Sequence, residues 1–340
     1  QQGPLSSMYI AGYRVAMLTA GAGSLWLAAF FGTETYNQDV WKKVYLIMSL
    51  FMLIGIFTTI YSKEPRIKKK FNKDNHFKFF LTILFAVFGF IILYSIIDNP
   101  YGENDILLSF IFSVARLVGC FIFAFLIIYF LIVLNFASKE KISNSYLGPI
   151  TNFLKRYGKF AFFILLLISL YRIADVVMGV MANIFYLEKG YKISEIATFS
   201  KFFGVFATIV GGFIGGYCSY KFGTMKALFF GALIAALSNL LFAWLAVSPT
   251  SINFLIAVIT ADNISSGFAG AAFVIYLSGL TSIKFTATQY ALFSSIMLFL
   301  PKLIAGYAGA WVDIMGYAYF FSFTAFLGIP VLLLIIWIGR

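Results

Sequence analysis

The stretch ISLYRIADVVMGV, residues 168–180, sets Arg172 and Asp175 three positions apart in an otherwise apolar run. On a helix that spacing puts both side chains on one face, so an internal ion pair is their simplest use. In hydrocarbon each charge costs roughly 2.5–3.5 kcal/mol on insertion scales, which turns such residues toward a bundle interior or a water-filled cavity. There they can pass a proton or hold a charged solute. Asp262 and Lys302 fall at comparable depth in other apolar runs, counted at roughly 1.5 Å per residue, so the mid-depth set pairs two cations with two anions. Arg116 and Lys201 fall nearer the ends of their runs, where a long side chain reaches water cheaply. Tyr171, one turn before Asp175, is placed to hydrogen-bond that carboxylate.

Other chemistry is poorly supplied. One histidine, His76, and two cysteines, Cys120 and Cys218, sit far apart in sequence with no metal-ligand spacing. Both cysteines read as small apolar packing groups. There is no Ser-His-Asp or Cys-His arrangement, no HExxH and no Walker loop, which removes the usual routes to hydrolysis and to ATP-driven pumping. A transporter of this make-up needs no cofactor or metal and has to draw on an ion gradient. An intramembrane enzyme could use Asp175 and Asp262 as an acid pair, but the basic residues beside them favour charge balance, and the chain reads as no enzyme.

The elements that must position these residues are membrane helices. Hydrophobic residues make up 61% of the 340 and charged ones 11%, with a mean hydropathy of +0.93, a composition that no single soluble globule shows. Runs of about 20 apolar residues pick out ten segments: 8–31, 41–62, 79–97, 106–136, 160–186, 199–220, 226–247, 252–280, 289–309 and 317–339. They are too long and too continuous for transmembrane β-strands. The fold class is therefore an all-α integral membrane bundle. The net charge of +12 is concentrated in alternate loops. With residues 1–7 cytoplasmic, loops 63–78 and 137–159 and Arg340 are cytoplasmic too, as the positive-inside rule asks of a multi-pass protein of a bacterial inner membrane. PRIKKKFNKDNHFK (65–78) reads as an anchor attracted to anionic lipid, with no nucleic-acid partner needed. The start, QQGPLSSMYIAGYRVAML, has no initiator methionine and no signal peptide. Its Ala16, Ala20, Ser24 and Ala28 form a small-residue packing stripe. Two helices, then two, then six look unbalanced unless something precedes residue 1.

GGFIGGYCSYKFGTMKA (211–227) pairs Gly211 with Gly215 and Gly212 with Gly216, then turns through Lys221, Gly223 and Lys226 into the next segment. Such glycines permit close helix contact, and the cations hold the turn at one membrane face. The stretch resembles the loop motif of the major facilitator superfamily at Gly216, Lys221, Gly223 and Lys226, with Tyr220 where the motif has an acid. Longer stretches resemble one branch of it, the AmpG muropeptide permeases: YRIAD (171–175), KFFGVFATIVGGFIGG (201–216), ALSNLLFA (236–243), DNISSGFAGAAFVIYLSGL (262–280) and FTATQYALFSS (285–295), with GYRVAML (12–18) and a two-helix insertion.

The resemblance implies a major-facilitator helical bundle lacking the family's first four helices. Residues 1–62 would be the last two helices of the N-terminal bundle, 63–78 a basic loop, 79–136 two inserted linker helices, 137–159 a loop and 160–340 the C-terminal six-helix bundle. It also implies proton-coupled import of N-acetylglucosaminyl-1,6-anhydromuramyl peptides for peptidoglycan recycling, by a monomer. Asp175 or Asp262 would then carry the proton, Arg172 and Lys302 would hold substrate carboxylates, and Tyr171, Lys201, Asn263 and Gln289 complete the binding and coupling set. Two other readings stand beside this one: a non-transporting fragment of such a permease, and a facilitator for another substrate such as an acyl-coenzyme A.

Overall fold

The structure is a computed structural model that describes residues 16–32, 37–61, 73–101, 105–136, 138 and 147–339, without the side chains of residues 73–76. Residues 1–15, which include the start of the first expected segment 8–31, most of the basic run 65–78, the first part of loop 137–159 and Arg340 lie outside the described residues.

The described residues contain helices and no strand. In order they are α1 (Ala16–Phe30), α2 (Gln38–Tyr61), α3 (Lys73–Ile96), α4 (Ile106–Val133), α5 (Gly148–Tyr157), α6 (Phe160–Leu170) and α7 (Ile173–Glu188). Then follow α8 (Ile193–Phe222), α9 (Thr224–Val247), α10 (Ile252–Leu280), α11 (Thr286–Ala305), α12 (Ala308–Phe326) and α13 (Gly328–Ile338). Grouped by continuity they give 9 helices long and apolar enough to cross a membrane, with α6–α7 and α12–α13 each acting as one span, and α1 a shorter apolar helix. Lipid offers no hydrogen bonds, so backbone groups must be satisfied within each segment, and long helices are the outcome these apolar runs allow.

Two compact units divide the described chain. The first holds α1 and α2, residues 170–279 and residues 315–339. Its core is aromatic: Phe185 meets Phe321 at 5.0 Å and Tyr317 at 5.0 Å, and Phe242 meets Phe321 at 5.3 Å. The second holds α3, α4, α5, residues 160–169 and residues 280–314. There α3 and α4 form a hairpin, and Asp105 caps α4 by accepting from the Leu108 amide at 3.1 Å. Asn99 Nδ2 donates to Ser109 Oγ at 2.8 Å, and Tyr307 Oη to Ser113 Oγ at 2.8 Å, so a polar seam fixes α4 against the end of α11.

Candidate functional site

The helix that carries Arg172 is not continuous. α6 stops at Leu170 and α7 starts at Ile173, and Arg172 itself has φ −99 and ψ 11. The break falls inside the span Phe160–Glu188. Arg172 Nη2 lies 3.1 Å from Asp175 Oδ2 and donates to Ser266 Oγ at 3.3 Å. The expected pair is therefore formed, but poorly aligned: Arg172 Nε and Asp175 Oδ2 are both buried without a hydrogen-bond partner. Room for the guanidinium comes from α10, where a Cβ on Gly270 would stand 3.4 Å from Arg172 Nη1. Asp262 lies within electrostatic range of both Asp175 and Arg172. Its Oδ1 accepts from Ser238 Oγ at 3.4 Å, and Ser238 Oγ in turn accepts from Ser265 at 3.2 Å. Tyr171 lies within electrostatic range of Asp175 and Arg172 but hydrogen-bonds elsewhere. Its hydroxyl donates to the Leu228 carbonyl at 3.2 Å, away from Asp175, and its ring stacks on Phe273 at 4.4 Å.

Asn263, one residue on, acts between helices: Oδ1 accepts from Thr208 Oγ1 at 3.0 Å and Nδ2 donates to the Ile259 carbonyl at 2.9 Å. Around it α8 and α10 cross at backbone contact. A Cβ on Gly211 would fall 2.1 Å from the Ile264 carbonyl oxygen, on Gly215 2.4 Å from that of Phe268, and on Gly267 2.0 Å from that of Thr208. Gly212 and Gly216 meet no such limit, so one of the two glycine pairs makes the crossing. The α8–α9 turn is held by Gly223, whose φ of 90 and ψ of 152 suit glycine. Lys221 folds over the Tyr217 and Phe222 rings at 5.8 and 5.4 Å, and Lys226 stands in the first turn of α9.

Lys201 marks a second cluster in the same unit. Residues Thr19–Gly23 of α1 and Ile196–Phe203 of α8 are both π-helical, a widened turn common at functional sites. A Cβ on Gly21 would lie 3.9 Å from Lys201 Cβ, so the two widened turns meet at this lysine. Its Nζ donates to Asn183 Oδ1 at 2.8 Å, and it makes no ion pair among the described residues. Both line a largely apolar cavity of about 1380 Å³ with Trp41, Tyr45, Ser49 and Leu187.

The other candidates belong to the second unit. Gln289 is fully buried and all its side-chain groups are engaged: Nε2 donates to the Pro149 carbonyl at 2.8 Å and Asn152 Oδ1 at 3.3 Å, while Oε1 accepts from the Ser282 amide at 2.7 Å and Arg156 Nη2 at 3.3 Å. Lys302 is exposed in the last turn of α11. Arg116 packs its guanidinium on the Tyr94 ring at 3.7 Å and donates to the Tyr94 carbonyl. Among the described residues no group of acids, histidines and cysteines could hold a metal.

Sequence reasoning passed over Asn183, Ser238, Asn239 and Ser266. Asn239 is fully buried, donates to the Ala174 carbonyl at 3.3 Å and to Thr324 Oγ1 at 3.2 Å, and keeps an unpartnered Oδ1. A polar pair, Ser238–Asn239, inside an apolar helix was the signal available for it.

The fold and this arrangement define an all-α membrane bundle of the major-facilitator type. No family model matches the chain. Curated relatives do. "Putative transporter AmpG 4" of Rickettsia felis is 29% identical over 336 residues, 98% of this chain and 64% of the relative. "Putative transporter AmpG 1" of Rickettsia typhi is 30% identical over 332 residues, 97% of this chain and 67% of the relative, and its Rickettsia prowazekii counterpart is 29% identical over 350 residues. The chain belongs to the AmpG family. It spans about 64% of the length of the Rickettsia felis relative.

Proposed function

We propose that the chain works in proton-coupled import of anhydromuropeptides across a bacterial inner membrane, with its C-terminus cytoplasmic. The observation that carries this reading is the under-satisfied Arg172–Asp175 pair at a helix break inside a span. Transporter sites form near mid-depth where helices are discontinuous, because broken backbone and charged groups are tolerated there only if they line a cavity. A carboxylate can take up and release a proton, whereas arginine stays charged at any physiological pH. Asp175 or Asp262 carries the coupling proton, and Arg172 answers the peptide carboxylates of the cargo. Lys201, beside Asn183 on a cavity of about 1380 Å³, offers a second cation with no ion pair among the described residues, and Lys302 a third. Tyr171 and Asn263 support the Arg172–Asp262 cluster through the helix contacts they make, and Gln289 is proposed as a further polar group, held in its own unit by α5.

The test is uptake of a labelled anhydromuropeptide into proteoliposomes under an imposed proton gradient. Asp→Asn at the coupling position should abolish gradient-driven accumulation and leave exchange intact. Arg172→Ala should weaken binding itself by roughly tenfold to a hundredfold, the scale of a hydrogen bond to a charged group. Normal, proton-dependent accumulation in both Asp175→Asn and Asp262→Asn would show that neither carries the proton.

A further inference from the structure

α5 carries no candidate residue of its own and touches only Gln289 among them. It fills the second half of a segment expected to be loop, and its two faces have different fates. The inner face is pinned: Pro149 and Phe153 are buried, the Phe153 ring meets Phe293 at 5.0 Å, and Gln289 of α11 binds the Pro149 carbonyl and Asn152. Arg156 Nη2 donates to Gln289 Oε1 and, at 2.7 Å, to the Leu280 carbonyl at the end of α10. That guanidinium nitrogen is thus turned to the inner contacts, although the residue as a whole is exposed.

The outer face is a stripe of Leu147, Ile150 and Leu154, exposed by 53%, 38% and 45%. Spacing of three and four residues places them on one side of the helix. Lys155 adjoins the stripe and Lys159 follows it, both exposed. Residues 147–159, LGPITNFLKRYGK, contain no acid. The chain turns at Gly158 (φ 52), and the span Phe160–Glu188 starts two residues later with Phe160 and Phe162 exposed by 61% and 65%. An apolar stripe this close to the start of a span lies at the depth where hydrocarbon gives way to headgroups.

We propose that α5 is an interfacial helix: Leu147, Ile150 and Leu154 seat at the headgroup–acyl boundary, and Lys155 and Lys159 bind the phosphates of anionic lipid. Apolar residues on one face with lysines at its edge are what an in-plane helix needs, and the acid-free sequence complements a negative surface. Because the inner face grips Gln289 and the Leu280 carbonyl, lipid engagement also steadies the α10–α11 turn.

Nitroxide labels at Ile150→Cys and Leu154→Cys, with Cys120→Ala and Cys218→Ser, test this in vesicles of phosphatidylcholine alone and of phosphatidylcholine with phosphatidylglycerol. These positions are exposed, so labelling leaves the inner packing intact. The expected result is high accessibility to oxygen and low accessibility to an aqueous nickel complex. Lys155→Gln with Lys159→Gln should lower the seated fraction about fivefold per lysine in the anionic vesicles, and leave it unchanged in neutral ones. Nickel access at both labels would mean a solvated helix and overturn the proposal. Shielding from both reagents would place protein, such as a second copy, on the stripe, and would overturn it too. An unchanged seated fraction in anionic vesicles would remove the headgroup contact.

Discussion

Arg172 illustrates how a residue can be legible in type and illegible in use. Its charge and spacing announced the pair with Asp175, which the structure forms at 3.1 Å. What sequence could not give was the misalignment: Nε and Oδ2 lack a well-aligned hydrogen bond, at a point where the backbone leaves the helix. Tyr171 was expected on Asp175 and instead reaches the Leu228 carbonyl of α9 and, more weakly, the Ala269 carbonyl of α10. The pair's worth to stability is testable at this scale. Arg172→Met alone leaves a partly buried carboxylate uncompensated and should cost about 3–5 kcal/mol, while Arg172→Met with Asp175→Leu removes both charges and should recover most of that loss. Unfolding in detergent micelles, followed by circular dichroism, reads both. A double variant as unstable as the single one would show that the polar groups, and not their pairing, hold this region.

At the scale of elements, the spans were legible because about 20 apolar residues in lipid have no stable alternative to a helix. Segment 252–280 matches α10 end to end, and 226–247 misses α9 by two residues. Deviations inside helices were not legible. Residues 171–172 contain neither glycine nor proline; the π-helical turn at Thr19–Gly23 carries Gly21 and Gly23, and the one at Ile196–Phe203 is rich in β-branched and aromatic residues, yet neither composition specifies a widened turn. α5 was missed since ten residues with an amphipathic face fall below the span criterion. The glycine crossing was half legible: the sequence offered two overlapping pairs, and only facing geometry selects Gly211 and Gly215. A methyl at Gly267 or Gly211 drives into partner backbone, so Gly267→Ala and Gly211→Ala should destabilise the bundle by about 1–3 kcal/mol, whereas Gly216→Ala, which meets open space, should be neutral. Thermal unfolding of the three variants separates these outcomes. Equal melting temperatures would mean that α8 and α10 separate more readily than the contact distances imply.

For the whole chain, the orientation to be expected follows from a charge difference spread over many segments, none of which decides the matter alone. Lys63, Arg66, Lys68, Lys69, Lys70, Lys73, Lys78, Lys139, Lys141, Lys155, Arg156, Lys159, Lys221, Lys226 and Lys284 fall between spans or at their ends, on one side if the spans alternate, against Lys42, Lys43, Lys189 and Lys192 on the other. Turn 97–105 carries Asp98, Glu103 and Asp105 and no cation. Retaining cations on the cytoplasmic side during insertion then leads to one arrangement, with residues 62–72, 137–147, 221–226 and 281–285 inside and residues 97–105, 189–192 and 248–251 outside. Fusions of a fluorescent reporter that folds only in the cytoplasm should glow when joined after residues 72 and 146. A phosphatase active only outside should work when joined after residues 101 and 250. The opposite pattern at residue 72 would invert the whole assignment, since every later turn follows from it by alternation. It would also move α5, which follows the 137–147 turn, to the far leaflet, where fewer anionic headgroups await Lys155 and Lys159.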